Sequence, residues 1–358
     1  MKKNLVNLAV LAVAAAPLSA LADVEVYGKM KVSVNFDSND SDPDATKDDS
    51  KISVLSNNSR IGVRGSEDLG AGLKAIYTWE NQVQVDEGEW RTQARDTYVG
   101  LAGDWGKLML GRKNTPHKQS TRSLDPFVDT VGDYNTVILT DRRMSNTIYY
   151  WSPDMNGLVV AAGFAPDYAD DDLPDSTPSA ADIAADGVNS QEQTGFSGMA
   201  TYSAGPLFLA GAYEVLGESS SVVNGNTYED LESLKFGASY KFGDAKINFV
   251  YANDDAGGNN NDRDQIYFSG TYKMGSTVWK AAFGQIADLG NSSNTGADFI
   301  ALGASQWLSK KTEVYAIYAA ISNDTNSSFG LKLGPAPAAA GKDVSSFAIG
   351  IHHNFSSK

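Results

Sequence analysis

Along most of this chain apolar residues recur at every second position, the period of a strand whose two faces meet different surroundings. In residues 24–36, Val24, Val26, Met30, Val32, Val34 and Phe36 share one face, and Glu25, Tyr27, Lys29, Lys31, Ser33 and Asn35 the other. Leu234, Phe236, Ala238, Tyr240 and Phe242 alternate in the same way with Lys235, Gly237, Ser239 and Lys241. The pattern returns at Ile247, Phe249 and Tyr251, and near the end at Phe347, Ile349, Ile351, His353 and Phe355. Segments 206–215 and 311–321 are apolar or small on both faces, and their facing stays open.

These segments predict sixteen strands of about ten residues, from 24–36 to 344–355. Tight turns such as Gly103-Asp104-Trp105-Gly106 and Ser203-Ala204-Gly205-Pro206 alternate with long polar connections at 37–50, 113–141, 165–192, 216–231, 253–263 and 322–343. Short turns on one side and long loops on the other mark a transmembrane barrel, and an even strand number puts both termini on one side. A soluble β-sandwich would also alternate. Against it stand aromatic residues near strand ends (Tyr27, Trp79, Tyr98, Tyr150, Phe164, Tyr202, Tyr251, Tyr272, Trp307), read as an interfacial girdle on the apolar face. The expected fold is all-β: a transmembrane antiparallel barrel.

The N-terminus has its own pattern. Lys2 and Lys3 precede an apolar stretch from Leu5 to Ala16, and Ala20-Leu21-Ala22 supplies small residues where a signal peptidase reads. Residues 1–22 therefore read as an export leader and 23–358 as the barrel. Beyond the leader the longest apolar run, about Leu158 to Pro166, is far short of the roughly 20 residues a spanning helix needs, so any crossing is by strands. The chain has no cysteine, which leaves it without a disulfide framework or a thiolate metal site.

The formal charge of −15, which becomes −17 once Lys2 and Lys3 leave with the leader, argues against nucleic acid as a partner. The acids cluster at Asp37, Asp40, Asp42, Asp44, Asp48 and Asp49, and again at Asp167, Asp170, Asp171, Asp172 and Asp175, as solvated loops do.

Several segments resemble the trimeric general porins of Gram-negative bacteria, in their neisserial and β-proteobacterial branch. Val26-Tyr27-Gly28-Lys29 opens the barrel as that family does, and Ser59 to Ala75 looks like its second strand, first turn and third strand. Arg95-Asp96-Thr97-Tyr98-Val99-Gly100-Leu101, Leu110-Gly111-Arg112 and Asn146 to Pro153 continue the likeness, which is specific over the first 160 residues and one of pattern beyond. The family ends on a phenylalanine read by the barrel-assembly machinery. Here Phe355 is followed by Ser356-Ser357-Lys358, and Phe355 is taken as its equivalent.

The resemblance implies a homotrimer in the outer membrane, in contact with lipid and lipopolysaccharide. Residues 82–92 would form a loop that latches onto a neighbouring subunit. It also implies passive diffusion of ions and small hydrophilic solutes, with no cofactor or metal. A sixteen-stranded barrel is wide enough for an aqueous channel, which the family narrows with an inward-folded third loop. Here that loop is 114–141, with Asp125, Asp129, Asp133 and Asp141, facing a basic wall of Arg60, Arg95, Arg112 and Arg143, with Arg64 and Arg142 as additional candidates. Opposed acid and base would set a transverse field across the narrow section.

A substrate-selective channel for organic acids or sugars on the same barrel is the alternative. An enzyme is not expected: the three histidines (His117, His352, His353) sit in no metal-ligand or nucleophile-elbow spacing.

Overall fold

The computed structural model describes residues 23–39, 50–166, 194–217, 222–223, 226–227, 230–257 and 261–358. The leader, most of the 37–50 block and all of the second acidic block lie outside them. The spanning strands are β1 (Val24–Asn39), β2 in two pieces (Lys51–Ser56 and Arg60–Gly70), β3 (Leu73–Gln84), β4 (Glu89–Gly103), β5 (Gly106–Asn114), β6 (Arg143–Trp151), β7 (Leu158–Ala165) and β8 (Thr194–Ala204). The second half comprises β9 (Leu207–Gly217), β10 (Leu231–Phe242), β11 (Ala245–Asp255), β12 (Asp262–Met274), β13 (Thr277–Ile286), β14 (Ala297–Trp307), β15 (Thr312–Asn323) and β16 (Val344–Ser356).

Each strand pairs antiparallel with the next, and β16 returns to β1 in register from Tyr27 opposite Ser356 to Asn39 opposite Val344. Closure leaves no free edge, so every strand finds backbone partners without water, as a lipid-embedded sheet requires. The seam extends past Phe355: Ser357 donates its N–H to Val26 O at 2.9 Å, and Ser356 Oγ donates to Glu25 at 2.6 Å.

The faces are inverted relative to a soluble domain. On β1, Val34 and Phe36 are 39% and 44% exposed, while Lys29 and Asn35 are 7% and 0% exposed. The exposed apolar face continues through Phe236, Ile247, Phe268, Ile300, Tyr318 and Ile349. It suits hydrocarbon, and the polar face turns inward. The two segments of open facing are settled here. Glu214 and Leu216, and Tyr315, Ile317, Ala319 and Ile321, point inward, while Leu209, Tyr213 and Tyr318 are outside.

Three expectations need correction. Strand β2 starts at Lys51, where Ile52 and Val54 continue the exposed apolar face; it is interrupted only where Asn58 takes a left-handed φ of 54°. The connection expected at 82–92 is a four-residue turn, because β3 and β4 carry their pairing on to Gln84 and Glu89. Tyr27 and Tyr98 belong to no outer girdle: Tyr27 bonds Glu80 at 3.0 Å, and Lys113 Nζ stands 5.5 Å over the Tyr98 ring.

Candidate functional site: the third loop and the inner wall

Between β5 and β6 the chain leaves the sheet for residues 115–142. Thr115 caps a short helix, Pro116–Thr121, by accepting from Lys118 N at 3.2 Å, and Pro116 sits in the first turn, where its missing N–H costs nothing. Asp125 accepts the N–H of Phe127 at 2.8 Å, and Asp133 caps the turn Tyr134–Thr136 through Asn135 N at 2.9 Å. These carboxylates shape the backbone before they face anything else.

One side of this loop is apolar. Leu124, Phe127, Val131, Val137 and Ile138 are buried with Val250, Phe299, Ala301, Ile317 and Ala319, which lie on the sheet face opposite the exposed apolar one. That packing explains why the inner face of β15 reads as apolar in sequence. Two glycines make the seats: a Cβ on Gly237 would stand 2.7 Å from Leu124 Cδ1, and one on Gly284 2.5 Å from Val137 Cγ2.

Polar ties hold the loop's two ends. His117 Nε2 lies 3.0 Å from Ser233 Oγ, which donates to Asp254 at 2.6 Å; Thr140 Oγ1 bonds both Ser233 and Asp254. This brings together a histidine, a serine and an acid, yet all three are buried between loop and wall, where they serve attachment. Asp141 pairs with Lys235 and accepts from Tyr134. Burial pushes the His117 imidazole well below its usual range, and the neighbouring Lys235 adds to the shift.

The loop's tip reaches the opposite side of the barrel. Lys29 pairs with Asp129, Lys31 Nζ donates to Val128 O at 2.8 Å, and Asn58 Nδ2 donates to Asp129 at 2.9 Å. Arg122 binds the same carboxylate at 3.1 Å and Asp133 at 3.6 Å. Asp129 takes a left-handed φ of 56° and is almost wholly buried. Burial alone would raise its carboxyl, but Lys29, Arg122 and Arg60 hold it well below the carboxylate range.

Of the arginines singled out in sequence, Arg60 stands 4.0 Å from Asp129 and 3.6 Å from Glu80. Arg95 donates to Glu80 at 2.8 Å, and Arg143 to Asp96 at 2.9 Å. Arg112 donates to Ala94 O at 3.1 Å and to Ser145. Arg142 pairs with buried Glu214 at 2.9 Å, away from this group. Arg64 binds Glu25 at 2.8 Å toward the short-turn end of the barrel and stacks on Tyr27. Among the loop acids, Asp129 and Asp133 join the basic group, whereas Asp125 accepts from Tyr267 at 3.2 Å on the packed side.

Glu80 and Asp96 were not singled out in sequence. Arg95 and Asp96 are consecutive and would point to opposite faces of a regular strand. The ladder steps from Trp79 opposite Thr97 to Asn81 opposite Ala94, so Glu80 alone faces both residues. This bulge turns both side chains inward. Lys113 then shares Asp96 at 3.2 Å. Lys29 and Lys31 had a visible signal, since they alternate with Met30 and Val32 on the polar face. Below the tip, Lys29, Arg60, Glu80, Asp96 and Lys113 line an open recess of about 360 Å³.

Comparison with known proteins agrees with this architecture. The family model described as Gram-negative porin matches residues 8–326. The major outer membrane protein P.IA of Neisseria meningitidis serogroup C is 33% identical over 180 residues, which is 45% of this chain and 46% of that protein. Outer membrane porin protein 32 of Delftia acidovorans is 28% identical across 99% of this chain and 100% of its own length. Among solved structures, the anion-selective porin from Comamonas acidovorans superposes with a TM-score of 0.74 at 25% identity, covering 93% of this chain and 99% of that one.

Proposed function

The chain belongs to the Gram-negative porin family, and from that premise we propose that its barrel is an outer-membrane channel for ions and small hydrophilic solutes whose narrowest section prefers anions. The observation that carries the proposal is the surplus of base beside the third loop. Lys29, Arg60, Arg95, Lys113, Arg122 and Arg143 gather around four carboxylates: Glu80, Asp96, Asp129 and Asp133. The loop packs on one side of the barrel and is pinned at its tip to β1. Passage is thereby left along the wall of β2 to β6, where the bases are. Charged side chains are sustained on that wall by lumen water; on the lipid face at mid-bilayer each would cost about 2–4 kcal/mol.

The narrow section dominates both resistance and selectivity, so its basic surplus outweighs the acidity of the chain as a whole. The similarity to an anion-selective porin supports the same sign. Solutes pass by diffusion, with carboxylates spaced among the bases so that no anion is held long. The barrel assembles as a homotrimer in this reading, burying one flank of its outer apolar band against its neighbours.

The test is a planar-bilayer recording of the purified protein in asymmetric potassium chloride. The expected reversal potential has the sign of chloride preference; a reversal at the potassium side would contradict the reading.

A further inference from the structure

The connection between β15 and β16 carries an apolar side chain to a place an external loop has no reason to reach. Leu331 is 4% exposed and belongs to the same buried cluster as Phe127, Val131 and Val137 of the third loop. Its turn is closed by Leu331 N donating to Pro335 O at 3.0 Å and Gly334 N donating to Leu331 O at 3.1 Å. A Cβ on Gly334 would stand 3.5 Å from Val131 Cγ1, so this turn lies directly on the third loop. Lys332 N donates to Thr136 Oγ1 at 3.1 Å, a second and polar tie to the same loop.

The segment is moored along the rim of the barrel from β12 round to β1. Asn323 Oδ1 accepts Phe329 N at 2.8 Å while its Nδ2 donates to Phe329 O at 2.9 Å and to Lys342 O at 2.8 Å. Phe329 packs on the cluster, with the Arg263 guanidinium 5.1 Å over its ring. Asn39, at the outer end of β1, donates to Ala336 O at 2.9 Å. Ser327 Oγ donates to Gly296 O at 2.6 Å, which fixes the segment to the neighbouring connection.

We infer that residues 324–343 form a strap that holds the third loop against the inner wall, with Leu331 as its positioning residue. The third loop's apolar side chains are covered from below by the wall of β11 to β15. Leu331 covers Val131 from the outside, and removing it would expose that layer to the hydrated mouth at a cost of transfer plus cavity. The strap also fills the β12 to β16 side of the mouth, so solutes reach the basic wall along the β2 to β6 side. The inference rests on the proposal that the third loop narrows the channel.

Single-channel recording tests it. Leu331→Asp should raise conductance and increase open-channel noise several-fold, with ion preference weakened, because Arg122 and Asp129 of the narrow section move with the third loop. Leu331→Met should restore the quiet native trace. A second variant uses the absence of cysteine in the chain: Thr136→Cys with Lys332→Cys should cross-link on oxidation, and the oxidised channel should be at least as quiet as the native one and noisier after reduction. Native conductance and noise in Leu331→Asp, together with failure of the pair to cross-link, would overturn the strap. If Arg60→Glu still moves the reversal potential in that case, the strap alone fails; if it does not, the channel reading fails with it.

Discussion

Arg60 places Nη1 4.0 Å from Oδ2 of Asp129, so a base rooted in the barrel wall meets an acid on the tip of the third loop. The meeting depends on a defect: Asn58, two residues earlier, takes a left-handed turn that interrupts β2 and gives its own amide to Asp129. The carboxylate also serves Lys29 and Arg122, so neutralising it leaves a set of crowded cations. Removing one partner of such a buried group costs about 3–5 kcal/mol. Asp129→Asn should therefore loosen the loop tip, seen as added conductance and noise, while the unboiled protein keeps its compact gel mobility.

The glycine seats make a separate prediction. Gly237→Val and Gly284→Val insert side chains where Leu124 and Val137 now lie, and each should displace the third loop without disturbing strand pairing. Gly270 faces only a backbone oxygen at 3.7 Å, and Gly270→Ala is the control. Limited proteolysis at Lys118 or Arg122 should be faster in the two valine variants and native in the control.

His117 predicts a dependence on acid. Its imidazole titrates well below the usual value of 6.5, so the folded loop binds no proton there when an unfolded one would. A base with a lowered pKa loses stability as pH falls below its unfolded value, and the loss levels off only below the folded one. Loop attachment should weaken from about pH 6 downward. Asp125, raised by burial and by the Asp133 charge, shifts the other way and opposes the effect. The measurement is therefore the rise in channel noise as pH falls from about 8 to below about 6, which the native protein should show and His117→Asn, having no imidazole to protonate, should lack.

Much of the barrel is legible in the chain because an antiparallel strand in lipid obeys a strict two-residue period. Val34 and Phe36 against Ser33 and Asn35 declare both strand and facing. Legibility fails where the inside is dry. Ile317 and Ala319 face inward, yet read like lipid-facing residues, because Phe127, Val131 and their neighbours cover them. It also fails at irregularities, since the Glu80 bulge that turns Arg95 and Asp96 inward together breaks the alternation on which the reading depends. The third loop's aspartates were visible as a set. Their separation into Asp129 at the tip and Asp125 on the packed side needs the folded loop.

If, as proposed, the narrow section between the third loop and the β2 to β6 wall sets ion preference, reversing its charges must move that preference. The decisive experiment is the reversal potential of Arg60→Glu and Arg143→Glu in asymmetric salt, beside charge swaps in the acidic block 37–50, which the sequence pattern assigns to a long polar connection. Both arginine variants should move the reversal potential toward cations. The shift should shrink as salt approaches ~1 M, where the screening length falls to about 3 Å. If the swaps in block 37–50 move the reversal potential more than Arg60→Glu does, the narrow section does not govern selectivity.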